Sequence, residues 1–382
     1  MSVPNSKLST LLAQAGSRRD PATGAISVPV YQTASFSHPA LGRSTGFDYS
    51  RTSNPTRLAL EETLAAADGG ARGFAFASGL AALDTLLRLF APGDRIVVTE
   101  DLYGGTFRLF ERVFRPLGID ARYVDTADTA AVGRALDDPR MRAVFVETPT
   151  NPLLKIADLR ALAARTRPRG ALLIVDNTFL TPCLQRPLEL GADVVTYSAT
   201  KFLAGHNDVV AGALVVRTPE LADKIAFLQN ACGAVLGPQD AWLTLRGLKT
   251  LPLRLRQQQE NATAIAVWLS GHPRVRRVLY PGIPAHPGHE ILVREGSGFG
   301  GMIAFEVDDP DRIPAILENV HVFLFAESLG GVESLITYPA VQTHADIAPA
   351  TRERLGINAR LLRLSVGIED RDDLIRDLAS VL

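Results

Sequence analysis

Three runs, Arg142-Ala-Val-Phe-Val146, Ala171-Leu-Leu-Ile-Val175 and Asp193-Val-Val-Thr-Tyr197, follow one another along the middle of the chain. Each has the length of a strand and is rich in β-branched residues. None alternates polar with apolar, as a strand with one wet face would. Such runs belong to a parallel sheet covered on both sides. The rhythm continues outward. Strands are read at Gly73–Ala77, Arg95–Thr99 and Ala121–Val124, and helices at Gly79–Phe90, Thr106–Phe114, Thr129–Leu136 and Asp158–Arg165. Gly212–Val216 extends the sheet downstream. This alternation predicts an α/β domain, a mostly parallel sheet sandwiched by helices.

The flanks differ. Residues 1–57 are rich in Ser, Thr, Pro and Asn, and they read as an extended N-terminal arm that must pack on something to be ordered. Helical spacing begins at Leu58–Asp68, with Leu60 and Leu64 on one face, and Gly69-Gly70 stops it. After Gly237-Pro238 come a long helix, Pro252–Leu269, strands Met302–Val307 and Leu361–Val366, and a closing helix, Asp370–Leu382. The expected division is an arm (1–57), a large α/β domain (58–237) and a smaller α+β domain (238–382).

Composition excludes several classes. Lys+Arg number 40 and Asp+Glu 41, so the 382-residue chain lacks the basic footprint of a nucleic-acid binder. Two cysteines, Cys183 and Cys232, cannot build a disulfide framework, which fits a reducing compartment. Met1–Asp20 shows no basic segment leading into an apolar one, so no secretory signal is expected. No apolar run approaches the ~20 residues of a membrane span. A cytoplasmic enzyme is the expectation. Two motifs are discounted on local grounds. Gly296-Ser-Gly-Phe-Gly-Gly301 has dinucleotide-loop spacing but runs into the alternating Met302–Val307, so a glycine-rich turn is expected. His286-Pro-Gly-His-Glu290 is broken by Pro287 and Gly288, which argues for a surface turn and against a metal site.

Three features fall at the carboxyl ends of strands, where open α/β sheets bind ligands. Ser78-Gly79 turns directly into a helix, and the free N–H groups near Gly79 and Leu80 make an anion cradle. Asp176 follows a buried strand and needs a partner, which a cationic ring nitrogen would supply. Tyr197-Ser-Ala-Thr-Lys201 brings two hydroxyls, Ser198 and Thr200, beside an amine able to form a Schiff base. If the chain stays extended there, the hydroxyls point one way and Lys201 the other. Tyr103, just past Arg95–Thr99, is placed to stack on a flat ring. Phosphate cradle, ring-nitrogen acid and amine, in that order, are the parts that hold pyridoxal 5'-phosphate.

The chain resembles the Cys/Met-metabolism pyridoxal-phosphate family, the cystathionine γ-synthase and cystathionine lyase group of fold type I, whose fold is that of aspartate aminotransferase. The likeness rests on Tyr49-Ser-Arg51, Asn54-Pro-Thr56, Ser78-Gly79, Tyr103-Gly-Gly-Thr106, Glu147-Thr-Pro-Thr-Asn-Pro152, Asp176-Asn-Thr178, Ser198-Ala-Thr-Lys201, Glu327-Ser-Leu-Gly-Gly-Val-Glu-Ser334 and Arg363-Leu-Ser-Val-Gly367. It implies that Lys201 carries the cofactor and shuttles protons, and that Asp176 pairs with the ring nitrogen. Ser78, Gly79, Leu80, Ser198 and Thr200 would bind phosphate. Tyr103 would stack on the ring and assist the leaving group. Tyr49 and Arg51 would reach into a neighbouring subunit, implying a homo-oligomer, a tetramer with exchanged arms. Arg363, Ser328 and Asn151 would grip the substrate α-carboxylate.

Within the family the resemblance favours γ-chemistry. Asp48 and Glu327 stand where similar γ-synthases and γ-lyases face the distal amino group of cystathionine or incoming cysteine. Gly105 stands where methionine γ-lyases carry a cysteine. Thr337-Tyr-Pro-Ala340 and Gln342-Thr-His344 look like bacterial γ-synthases, whereas Gln229–Thr250 equally resembles β-lyases. The expected reaction is γ-replacement on an O-acyl-homoserine by cysteine, or by sulfide. The alternative is elimination from cystathionine, by γ- or β-cleavage. A nicotinamide oxidoreductase or a catalytically silent homologue is the remote alternative.

Overall fold

Seven strands form the large sheet of the computed structural model, which describes residues 6–17, 19–345 and 347–382. Of Met1–Asp20, residues 1–5 and 18 therefore lie outside the described residues. In chain order the strands are β1 (Arg72–Phe76), β2 (Arg95–Thr99), β3 (Asp120–Val124), β4 (Met141–Glu147), β5 (Leu172–Asp176), β6 (Val194–Tyr197) and β7 (Gly212–Val216). Their order across the sheet is β1-β7-β6-β5-β4-β2-β3. β7 is antiparallel to both its neighbours, and the other pairs are parallel. The carboxyl ends of β1, β2, β4, β5 and β6 thus open on one side of the sheet. Leu173, Ile174 and Val175 of β5 are wholly buried, as an uninterrupted apolar run requires. Each such side chain contributes about 1.5–3 kcal/mol by leaving water.

A second sheet, ordered β10-β11-β12-β9-β8, is built from β8 (Val275–Leu279), β9 (Met302–Val307), β10 (Leu324–Phe325), β11 (Leu335–Thr337) and β12 (Leu361–Ser365). It has its own core, in which Ile303, Phe305, Leu362 and Leu364 meet Ile265 and Leu269 of the helix Leu251–Ser270 and Leu374 and Leu378 of the helix Arg371–Val381. The glycine cluster 296–301 leads into β9, a strand, so it opens no helix for a dinucleotide.

Sequence and structure part company at several elements. The helices Pro219–Cys232 and Pro238–Leu248 were not read, because each begins with a proline that signals a break. Proline is well suited to the first helical position, where its missing N–H is not needed. Edge strand β8 escaped because Arg276 and Arg277 blur its alternation. The helix read at Thr106–Phe114 begins at Gly104 as an α-turn and continues as a π-helical segment, Leu109–Phe114. Ala241, Leu245 and Leu248 join the core of the large sheet, as do Leu251 and Leu255. We therefore propose that the handover between domains lies within Leu251–Ser270 and not at 237/238.

The arm is tied down at its C-terminal end. Asn54 caps the helix Pro55–Asp68, accepting from Thr56 N–H at 3.0 Å. Buried Arg57 donates to the carbonyls of Ser50 and Arg51. Farther back, the Trp242 indole holds the Val28 carbonyl at 3.0 Å.

Candidate active site

A cavity of about 410 Å³ opens over the carboxyl ends of β1, β2, β4, β5 and β6 and is closed from the other side by the loop 327–329 and by β12. Its lining includes Ser78, Gly79, Leu80, Tyr103, Asn151, Asp176, Ser198, Thr200, Lys201, Glu327, Ser328 and Arg363. Residues spread over 286 positions of sequence are thereby collected because five parallel strands end together and the second domain folds over them.

Asp176 is the last residue of β5, so its strand ends one position later than the sequence reading placed it. Its Oδ1 accepts from the Thr178 N–H at 3.0 Å. Burial raises its pKa. Beside it, in register on β4, stands Glu147. Burial first, and the charge of Asp176 second, push the Glu147 carboxyl well above its usual range. Glu147 was quoted in a motif but given no role, although an acid closing the apolar run Arg142–Val146 carries the same signal as Asp176. Its carboxylate accepts from Tyr103 N–H at 3.1 Å and from Asn151 N–H at 2.8 Å.

At the end of β1, Ser78 caps the helix Gly79–Leu87 through the Ala81 N–H at 3.0 Å. The Gly79 and Leu80 N–H groups, at the helix start, lack intrahelical partners. A Cβ on Gly79 would lie 3.1 Å from the Ser198 Cα, a tight contact, so glycine keeps the space between these two strand ends open without strain. The chain does not stay extended after β6. It turns at once, with Lys201 N–H bonded to the Ser198 carbonyl at 3.1 Å, and Ser198, Thr200 and Lys201 line one cavity together. The expectation that the hydroxyls and the amine point opposite ways is corrected accordingly. Thr200 is fixed by exchanging hydrogen bonds with the Ala211 backbone at 2.9 and 3.1 Å.

The Lys201 ammonium donates to Ser328 Oγ at 2.7 Å. Burial, with the nearby Arg363 charge, lowers its pKa to about 8. Ser328 has φ +99°, a conformation strained for an L-residue, and Arg363 Nη2 holds its carbonyl at 3.0 Å. Arg363 is 1 % exposed, and its Nη1 donates to Asn151 Oδ1 at 2.7 Å while its Nη2 also reaches Thr337 Oγ1 at 3.2 Å. Its Nε is buried without a partner, and burial lowers its pKa to about 10. A buried guanidinium with an unused donor is fit to receive a carboxylate.

Tyr103 lies at the cavity wall with its ring against Gly105, where a Cβ would collide with it. Asp48, Tyr49 and Arg51 are not brought to this cavity. They lie on the exposed arm, with the Arg51 guanidinium 5.5 Å from the centre of the Tyr49 ring. His286 accepts from the Gly288 N–H at 3.1 Å, and His289 bonds the Pro281 carbonyl and stacks on Phe299. Among the described residues no cluster suited to a metal ion occurs, and both cysteines are free. No described helix is long and apolar enough to cross a membrane.

The donor set fits pyridoxal phosphate. Asp176 is a buried acid facing the cavity, the Gly79 cradle has room for an anion, and Lys201 is an amine with a lowered pKa. Comparisons with known proteins agree. The chain is 52 % identical to the cystathionine gamma-synthase of Mycobacterium bovis over 376 residues, 98 % of this chain and 96 % of that one. It is 49 % identical to the cystathionine gamma-lyase of Bacillus subtilis over 376 residues, 98 % and 99 % of the two chains. The crystal structure of cystathionine gamma synthase from Xanthomonas oryzae, in complex with aminoacrylate and cysteine, superposes with a TM-score of 0.96 at 44 % identity, covering 98 % of this chain and 97 % of that one. Residues 9–382 match the Cys/Met metabolism PLP-dependent enzymes, and the protein belongs to that family, with pyridoxal phosphate as its cofactor.

Proposed function

We propose that the protein joins cysteine to an O-acyl-homoserine by γ-replacement, the cystathionine γ-synthase reaction of trans-sulfuration. The observation that carries this reading is Glu327, an acid lining the same cavity as Lys201 and Arg363. It is suited to receive the amino group of an incoming cysteine.

In this reading Asp176 pairs with the ring nitrogen. Ser78, Gly79, Leu80, Ser198 and Thr200 hold the phosphate, and Tyr103 covers the ring face. Arg363, with Asn151 and Ser328, orients the substrate by its α-carboxylate, giving a partner to a buried guanidinium whose Nε has none. Lys201, with its pKa near 8, is in part a free amine at neutral pH. It takes the proton from Cα and, for γ-chemistry, takes one from Cβ only after handing the first on to the cofactor and becoming a free amine again. The Tyr103 phenol assists departure of the γ-substituent. Pyridoxal phosphate, when bound, supplies the electron sink that makes both proton removals feasible. Tyr49 and Arg51 complete the phosphate site of a neighbouring copy, with Asp48 beside them, in a cytoplasmic homotetramer.

Cleavage of cystathionine is the second reading, favoured by the near-equal identity to a cystathionine gamma-lyase. The test is to supply O-acetyl- or O-succinyl-homoserine with cysteine and measure cystathionine. Inertness toward that pair, with cleavage of cystathionine, selects the lyase, and pyruvate or 2-oxobutyrate then separates β from γ cleavage. Glu327→Ala is expected to lower cysteine-dependent synthesis about tenfold or more, the worth of one charge-assisted hydrogen bond, while sparing the sulfide reaction. Equal losses remove Glu327 from recognition.

A further inference from the structure

Asn151 is held on three sides. Its N–H donates to Glu147 Oε1 at 2.8 Å, its Oδ1 accepts from Arg363 Nη1 at 2.7 Å, and its carbonyl lies 2.8 Å from Nε2 of His344. Among the described residues nothing takes its Nδ2 group, which is left free to donate. His344 is wholly buried. A carbonyl only accepts, so Nε2 carries the proton; Nδ1, 2.8 Å from Thr343 Oγ1, then accepts from that hydroxyl. Both ring nitrogens are thus used in this arrangement, and the Leu102 backbone also meets the ring. Burial lowers its pKa to about 4, so it stays neutral under ordinary conditions.

The segment carrying His344 also shapes the cavity. Thr343 lines it, and the Thr343 carbonyl rests on Gly104, where any Cβ would collide with it. Arg352 donates to the Ala340 carbonyl and steadies this segment from behind. One imidazole therefore joins the 339–345 segment to the loop that follows β4.

We propose that His344 is a positioning residue for the carboxylate grip: its Nε2–H fixes the Asn151 backbone so that the amide Nδ2 and the Arg363 guanidinium converge on the substrate α-carboxylate. This rests on reading Arg363 and Asn151 as that grip. His344 touches neither substrate nor cofactor; it acts through Asn151.

Two ligands without a leaving group test it on the holoenzyme: L-alanine, and L-alaninamide, which lacks the carboxylate. Affinities are measured by calorimetry on the wild type and on His344→Phe, His344→Gln and His344→Asn. A glutamine amide can reach the position of Nε2, whereas an asparagine amide stops near Nδ1. The expectation is that His344→Phe and His344→Asn bind L-alanine roughly tenfold more weakly, as loss of one good hydrogen bond gives, with alaninamide unchanged and His344→Gln close to wild type. In turnover the loss is expected in KM more than in kcat, since the carboxylate is held before and during reaction. If His344→Phe does not fold, the Gln and Asn pair still decides. Equal behaviour of that pair, or equal losses for both ligands, overturns the proposal. A wild type that does not distinguish alanine from alaninamide instead overturns the grip itself, a separate result.

Discussion

Lys201 shows how one residue is tuned by its position. Its ammonium is buried, faces Arg363 and keeps one hydroxyl partner, Ser328, at 2.7 Å. Both burial and the guanidinium disfavour the charged form. In the apoprotein, attack on the aldehyde of added pyridoxal phosphate needs the neutral amine. The rate of reconstitution is therefore expected to climb about tenfold per pH unit below 8 and to level off above it. A rate that keeps climbing to pH 10 would show an ordinary lysine. Lys201→Arg is expected to bind the cofactor without covalent attachment, seen as retention that survives no denaturing filtration after borohydride treatment. The lysine was legible in sequence from two hydroxyls and an amine closing a strand. Its lowered pKa was not, because Arg363, whose charge adds to the effect of burial, is distant in sequence.

At the scale of elements, the helix Pro55–Asp68 ends on an acid that is wholly buried. A negative charge is unfavourable at a helix C-terminus, and burial makes it costlier. Asp68 accepts from the Tyr197 hydroxyl at 2.7 Å, fastening that helix to the end of β6, just before Ser198. Burial raises its pKa from 3.8 to about 7. Between those values the folded state keeps a proton that the unfolded state has released. The stability contribution is full below about pH 4 and is lost as pH rises through 7. Asp68→Asn keeps an acceptor for Tyr197 but cannot ionise. Its stability relative to the wild type is expected to rise between pH 4 and pH 8 by an amount on the order of 1–4 kcal/mol, read by urea unfolding at both pH values. A difference independent of pH would mean that Asp68 is already ionised in the folded protein at pH 4, and that its pKa is not raised.

For the whole molecule, the arm is the part that a single chain does not explain. It is fastened near Asn54, Arg57 and Val28, yet Ile26 is 83 % exposed and Leu41 fully so. Tyr49 and Arg51 lie on the surface, away from the cavity of their own chain. An arm that exposes apolar and cationic side chains away from its own chain's main cavity is expected to serve a neighbour's. Light scattering should report a tetramer. Arg51→Ala should keep that mass and lose cofactor on dialysis about tenfold faster, the effect of removing one charged phosphate contact. Retention equal to wild type would take Arg51 out of the phosphate site.

The apolar runs of β4, β5 and β6 and the residues that close them, Glu147, Asp176 and Ser198, could be read from sequence because strand burial and strand ends are local properties. The order of the sheet, the sideways pairing of Glu147 with Asp176, and the turn that puts Lys201 beside Ser198 could not. They depend on which strands lie next to which, and that is chosen by packing across the whole core. The same holds for the carboxylate grip. Arg363, Asn151 and His344 come from distant parts of the chain, and only the closure of the second domain over the first brings them into hydrogen-bonding distance.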